Sequence, residues 1–341
     1  MSEISSDDPI LVEVLRGGFV ESRHRGAATV VDSDGKILLR WGDIERPVFG
    51  RSAVKPLQAL PLVESGAADY WQLGDAELAL ACGSHHGEAA HVEAVTAWLA
   101  RMGLGADDLE CGAHPPLDSA AAADLIRHDR AASPLHNNCS GKHAGFLATA
   151  RHLGEPTRGY IAPDHPVQRR VLAALESMTG LHHLAQAPRG TDGCGIPVIG
   201  LPLTGLARAM ARIADPSALH PHRATAVQRL SDAMAAAPLM ISGSTGFATA
   251  LLRAASDTVR AKPGAEGVYC AALPKLGLGL ALKIEDGAQR AGEVALGAIL
   301  HRLGALDETA EAALARRLHP AIRSIAGATV GEIRPAAILG A

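Results

Sequence analysis

The chain has 341 residues, of which 48% are hydrophobic and 20% charged, and its formal net charge is -4. So even a balance gives no electrostatic ground for nucleic acid or an anionic membrane as a partner. A chain of this length buries enough of its unfolded surface to hold a core without covalent staples, so the composition describes a soluble globular enzyme.

The opening MSEISSDDPILVEV is acidic and polar, with neither the basic stretch nor the apolar run of a secretory leader. No apolar run approaches the roughly 20 residues needed to span a bilayer, and the longest greasy stretch, residues 198–211, carries Pro, Gly and Arg. A cytoplasmic address is expected. The cysteines, Cys82, Cys111, Cys139, Cys194 and Cys270, are odd in number, which favours reduced thiols over a disulfide framework.

Residues 10–16 (ILVEVLR) and 27–32 (AATVVD) are rich in β-branched side chains and read as strands. The second leads through Ser33-Asp34-Gly35 into 37–42 (ILLRWG), an Asp-Gly hairpin signal. Helical patterns follow at 52–65, 75–82, 89–103, 119–127, 165–179 and 222–237. The Ala-rich stretch 307–318 also reads as helix. Residues 267–273 and 277–284 flank Pro274-Lys275 as a second hairpin, and 292–304 has apolar residues at helical spacing. Strands at both ends around a helical middle predict an α+β fold, with an antiparallel sheet assembled from the two termini. The expectation is one domain over 1–341 with a helical subregion.

Three segments concentrate chemistry. In 50–64, Ser52 and Lys55 are three apart, which on a helix puts both on one face. A serine needs a base within reach, and a lysine serves only when desolvation or a neighbouring cation depresses its pKa. Pro56 lacks an N–H and so fixes the pair at a helix start. The plainer alternative is a capping serine and a solvated lysine. In 136–150, His136, Asn137, Asn138, Cys139, Ser140, Lys142 and His143 crowd ahead of an apolar run. Such polar density is unfavourable unless it lines a site, and the asparagine amides suit an amide or carboxylate. In 189–202, Asp192 and Cys194 sit among Gly190, Gly193 and Gly195. Cys139 and Cys194 offer two thiolates to zinc, with His143, His136 or Lys142 to complete the set, or they are buried packing groups. Ser84 lies in a Gly-Ser-His-His-Gly run where a turn would project its hydroxyl, while His85, His86 and His91 read as exposed loop histidines rather than ligands. Lys262, before Pro263 and Gly264, is placed just ahead of a strand as a cation for a substrate.

The blocks VESRHRG (20–26), RSAVK (51–55), ACGSHHGE (81–88), HNNCSGKHAGFLA (136–148), TDGCGIP (191–197) and KPGAEGVY (262–269) resemble the rhizobial-type bacterial L-asparaginases, also called class 3 or asparaginase II. That resemblance covers nearly the whole chain. It implies a fold similar to serine β-lactamases and serine-dependent glutaminases, L-asparagine as substrate, and a homodimer. It implies two serine–lysine pairs, Ser52 with Lys55 and Ser84 with Lys262, and zinc held by Cys139, Lys142 and Cys194. It also points to Arg51, Asn138, His143 and Asp192 as substrate-binding residues. In the block 246–253, Ala248 stands where the family often has cysteine. Other amides (L-glutamine, a β-lactam), a zinc-bound water as nucleophile and a non-catalytic zinc-stabilised binding protein are the competing readings.

Overall fold

A computed structural model of the chain describes residues 8–340. They gather into two compact units. The first comprises residues up to Val48, Leu201–Asp215 and everything from Ala254 onward; the second comprises Phe49–Gly200 and Pro216–Arg253.

The first unit is built on an eight-stranded antiparallel sheet drawn from both ends of the chain. The strands run in the order Ala321–Arg323, Thr329–Pro335, Ile10–Arg16, Phe19–Asp32, Leu278–Ile284, Val268–Leu273 and Arg260–Pro263, with Ile37–Trp41 also paired to Phe19–Asp32. At its centre Leu280 sits between Val30 and Ala271, and all three are fully buried. The helices Leu203–Ala214 and Gln289–Arg302 cover it. Both hairpins read from the sequence form. The strand expected at 27–32 starts earlier, at Phe19. Its first half alternates exposed residues with half-buried ones and the buried His24, and only the second half is a continuous buried run, so the β-branched signal marked the second half alone. The strands Ala321–Arg323 and Thr329–Pro335 were not anticipated, and Lys262 lies within the edge strand Arg260–Pro263 rather than ahead of a strand.

The second unit is mainly helical. Asp75–Cys82 and Ser119–Arg127 form as expected, while Ala89–Arg101, Pro166–Thr179 and Pro221–Ala236 match to within two residues at their ends. The single helix expected over 52–65 is instead broken into a 3-10 turn, Arg51–Val54, and two short helices, Lys55–Gln58 and Leu60–Glu64. Pro56 and Pro61 each stand in a first turn, where their missing N–H removes no bond. One further helix, Ser140–His152, packs directly on Asp75–Cys82: a Cβ at Gly141 would fall 2.6 Å from the Leu80 carbonyl oxygen. That backbone-to-backbone approach fixes the two elements that carry the site. A small three-stranded sheet contains the antiparallel pair Arg189–Thr191 and Pro197–Leu201. Among the described residues, no helix is long and apolar enough to cross a membrane.

Candidate functional site

Ser52 lies in the 3-10 turn Arg51–Val54, and Lys55 follows it directly. Residues three apart in a 3-10 turn lie one above the other, and Lys55 is the residue that closes this one. Ahead of them Arg51 has φ +47°, a left-handed conformation that few non-glycine residues adopt. Its guanidinium forms an ion pair: Arg51 Nε and Nη2 each lie 2.8 Å from Asp192 Oδ1. Burial pushes the Asp192 carboxyl up, but Lys142 and Arg51 outweigh it and hold the group below the usual carboxylate range.

Lys55 is fully buried. Its Nζ donates to Ser84 Oγ at 2.9 Å, to the Asn138 carbonyl at 3.2 Å and to the Gly83 carbonyl. Three ammonium hydrogens thus meet three oxygens. Burial drives the amine below the ordinary lysine value against the opposing pull of Cys139. The serine that Lys55 touches is therefore Ser84. Ser52 is half-buried, one 3-10 turn ahead of Lys55.

Ser84 is held at the end of the helix Asp75–Cys82. Its N–H donates to the Ile241 carbonyl at 2.7 Å. A Cβ at Gly83 would stand 2.2 Å from the Met240 carbonyl oxygen, so only glycine admits this approach. His85 and His91 are not the exposed loop histidines expected from the sequence. Both are fully buried, and each spends both ring nitrogens on neighbouring groups. On the facing loop Asn137 is buried and committed to the backbone: its Nδ2 donates to Cys111 O at 2.8 Å and Gly112 O at 3.1 Å, and its Oδ1 accepts from the Cys139 N–H at 2.8 Å. Its amide builds the loop, which leaves Asn138 the more open of the two.

Behind this face lie Cys139, Lys142 and Cys194, all buried. Lys142 Nζ donates to Cys194 Sγ at 3.1 Å, and the Cys139 thiol donates to Asn138 Oδ1 at 3.4 Å. The neighbouring thiols shift one another: Cys139 is held well below the usual thiol value and Cys194 is pushed up. Burial pulls Lys142 down, but Cys139, Cys194 and Asp192 together raise it. Next in sequence, His143 is fully buried and kept neutral by burial. Its Nδ1 pairs with Tyr160 Oη at 2.8 Å, while its Nε2 is buried without a hydrogen-bond partner. Two thiols and an amine form a donor set that suits zinc, which takes sulfur and nitrogen ligands. Among the described residues no group of three His, Cys, Asp or Glu side chains is placed to hold a metal ion. Ala248, where the related family often has cysteine, is fully buried.

Lys262 belongs to the first unit, where it is fully buried beside Cys270 and its Nζ donates to the Pro263 carbonyl at 2.8 Å. Two contributors escaped the sequence reading. Tyr160 accepts from the Glu110 N–H at 2.7 Å while orienting His143, and His114 Nε2 accepts from the Asn138 N–H at 3.1 Å. Each lies in a polar connecting stretch with no motif around it.

A family model described as L-asparaginase II matches residues 12–335. No curated protein matches the chain. Among solved structures, Mglu in its native form aligns at TM-score 0.45 and 16% identity, covering 82% of this chain and 65% of its own, so that this chain spans just under two thirds of it. A β-lactamase from Mycobacterium bovis aligns at TM-score 0.41 and 14% identity, covering 86% of this chain and 95% of its own. The D-alanine carboxypeptidase AmpC from Burkholderia cenocepacia aligns at TM-score 0.39 and 13% identity, covering 82% and 91%.

Proposed function

The chain belongs to the L-asparaginase II family of amidohydrolases, and from that premise we propose that it hydrolyses the side-chain amide of L-asparagine to L-aspartate and ammonia. The observation that carries the reading is the fully buried Lys55, three residues after Ser52 and hydrogen-bonded to Ser84. Burial makes proton loss from its ammonium easier than in water, which is the condition for a lysine to act as base.

Lys55, once neutral, takes the Ser52 proton, and Ser52 Oγ attacks the amide carbonyl carbon. The Ser52 N–H, in the opening turn of a 3-10 helix, supports the oxyanion. As the C–N bond breaks, the proton passes from Lys55 through Ser84 to the leaving nitrogen. Water then attacks the aspartyl ester under the same base and frees Ser52. Arg51 and Asp192, already paired, present a cation and an anion to the substrate's α-carboxylate and α-ammonium. The Asn138 amide and the unpartnered His143 Nε2 supply further polar contacts. In this reading Cys139, Lys142 and Cys194 would hold zinc, which supplies a fixed positive charge that orients the substrate. Lys142 must then give up the proton its thiol neighbours favour. The family resemblance assigns Lys262 to a second pair with Ser84, and Lys262→Ala tests that assignment.

A second reading makes Ser84 the nucleophile, and the 2.9 Å bond from Lys55 favours it. Ammonia release from L-asparagine and L-glutamine by wild type, Ser52→Ala and Ser84→Ala separates the cases. The first reading expects preference for asparagine and near-complete loss in Ser52→Ala. Equal or faster glutamine turnover would remove the substrate assignment, because one methylene is worth only about 1–3 kcal/mol in a pocket. Full activity in both serine variants would remove serine catalysis altogether.

A further inference from the structure

The oxygens that receive Lys55 come from two separate stretches: Gly83 and Ser84 from the turn after the helix Asp75–Cys82, and Asn138 from the loop before the helix Ser140–His152. A buried side chain bridges the two. The Gly87 N–H donates to His85 Nδ1 at 3.1 Å, so the ring proton sits on Nε2, which meets Ser140 Oγ at 2.7 Å. The Ser140 hydroxyl then passes its own hydrogen to the Leu135 carbonyl at 3.1 Å. Every donor in this run points the same way. The His85 ring also stacks on His91, centroids 4.9 Å apart and planes within 11°. His91 is itself pinned, accepting the Glu88 N–H at 3.1 Å and donating to the Leu239 carbonyl at 3.0 Å. Burial keeps His85 neutral, and both its nitrogens are engaged, so it does not shuttle protons.

We propose that His85 is a positioning residue for the reaction assigned above: a buried strut whose bond to Ser140 sets the gap between the Ser84 turn and the Asn138 loop, and so the place of the Lys55 amine. The inference rests on the reading of Lys55 as the base. Without the strut the two acceptor loops are tied only through the helix contact at Gly141 and through Lys55 itself, and the Lys55 amine is held less firmly against Ser84. Substrate capture by Arg51 and Asp192, which lie on other segments, changes little. The effect therefore falls on kcat.

The test uses His85→Ala, His85→Gln, Ser140→Ala and the double variant His85→Ala/Ser140→Ala, assayed on L-asparagine beside amide hydrogen exchange. Glutamine carries an amide N–H close to where the histidine Nε2–H lies. His85→Ala should lower kcat by up to about a hundredfold, the effect of a displacement near 1 Å, with KM within about threefold of wild type. His85→Gln should recover most of the loss, and the double variant should be no worse than the single ones, as for two members of one contact. The Gly87 and Ser140 amides should exchange faster in His85→Ala whatever substrate the enzyme takes. Unchanged kcat in His85→Ala, or a glutamine variant as poor as the alanine one, overturns the strut. Should His85→Ala fail to fold, Ser140→Ala and His85→Gln decide by the same criteria. Faster exchange in a protein whose wild type ignores asparagine would keep the strut and remove the substrate reading.

Discussion

Gly83→Ala tests the geometry of the site at one atom. The added Cβ would lie 2.2 Å from the Met240 carbonyl oxygen and 3.2 Å from that of Ala79. The first distance is more than about 1 Å short of ordinary contact, and both neighbours are backbone, which cannot rotate aside. The helix Leu239–Ser242 must retreat, or the Gly83–Ser84 turn must. Either movement strains the Ser84 N–H bond to Ile241 O, the His91 bond to Leu239 O and the Lys55 bond to Gly83 O. Overpacking of this kind destabilises by about 1–3 kcal/mol, and at about 2–4 °C per kcal/mol the melting temperature should fall by about 2–12 °C. A displacement near 1 Å at the Lys55–Ser84 contact should lower turnover by about a hundredfold. Gly105→Ala is the control, since its Cβ meets nothing within 4 Å and its φ of -138° suits alanine. Thermal unfolding and ammonia release on both variants make the comparison. A Gly83→Ala protein that melts and turns over like Gly105→Ala would refute the close approach on which the site depends.

Lys55→Met should cut turnover by at least about a hundredfold, the usual size of a lost general base. Its melting temperature should stay near wild type, because relief from burying an ammonium offsets three oxygens left without a donor. Retained turnover would show that Lys55 is not the base. Burial raises the Glu293 carboxyl beside Tyr269, against the pull of Arg317. Folding therefore favours its protonated form, and the associated stability is lost as pH rises through that raised value. Glu293→Gln should accordingly melt at the wild-type temperature near pH 4 and above it near pH 7 (unperturbed glutamate titrates at about 4.3); a gain equal at both pH values would contradict this. If zinc sits at Cys139, Lys142 and Cys194 as proposed, wild-type protein should carry zinc by elemental analysis and Cys139→Ser should carry less; equal zinc in both would remove Cys139 as a ligand.

What the sequence disclosed followed the strength of each local signal. Asp75–Cys82 and Ser119–Arg127 are short helices with clear starts, and their bounds were readable to the residue. The helix Ser140–His152 was not, because residues 140–150 are buried throughout and no amphipathic period survives. Leu203–Ala214 was noticed only as a greasy stretch with Pro, Gly and Arg, since its helical period runs on from the strand Pro197–Leu201. Thr329–Pro335 is polar and half-exposed, so its pairing with Ile10–Arg16 is a tertiary fact without a local signature. At the site, the Ser52–Lys55 spacing was legible, but the contact of Lys55 with Ser84 spans 29 residues and arises from packing of the short helix Lys55–Gln58 on Asp75–Cys82. His85 illustrates the same limit: in the sequence it is one of two adjacent loop histidines, and only burial and the Ser140 contact distinguish it.

The central claim is acyl transfer through Ser52, and acid-quenching of the enzyme during turnover of L-asparagine, followed by mass spectrometry of its peptides, tests it most directly. The account predicts an aspartyl ester on the peptide containing Ser52, absent from Ser52→Ala. An ester on the Ser84 peptide, or ammonia release that continues in Ser52→Ala, would contradict it.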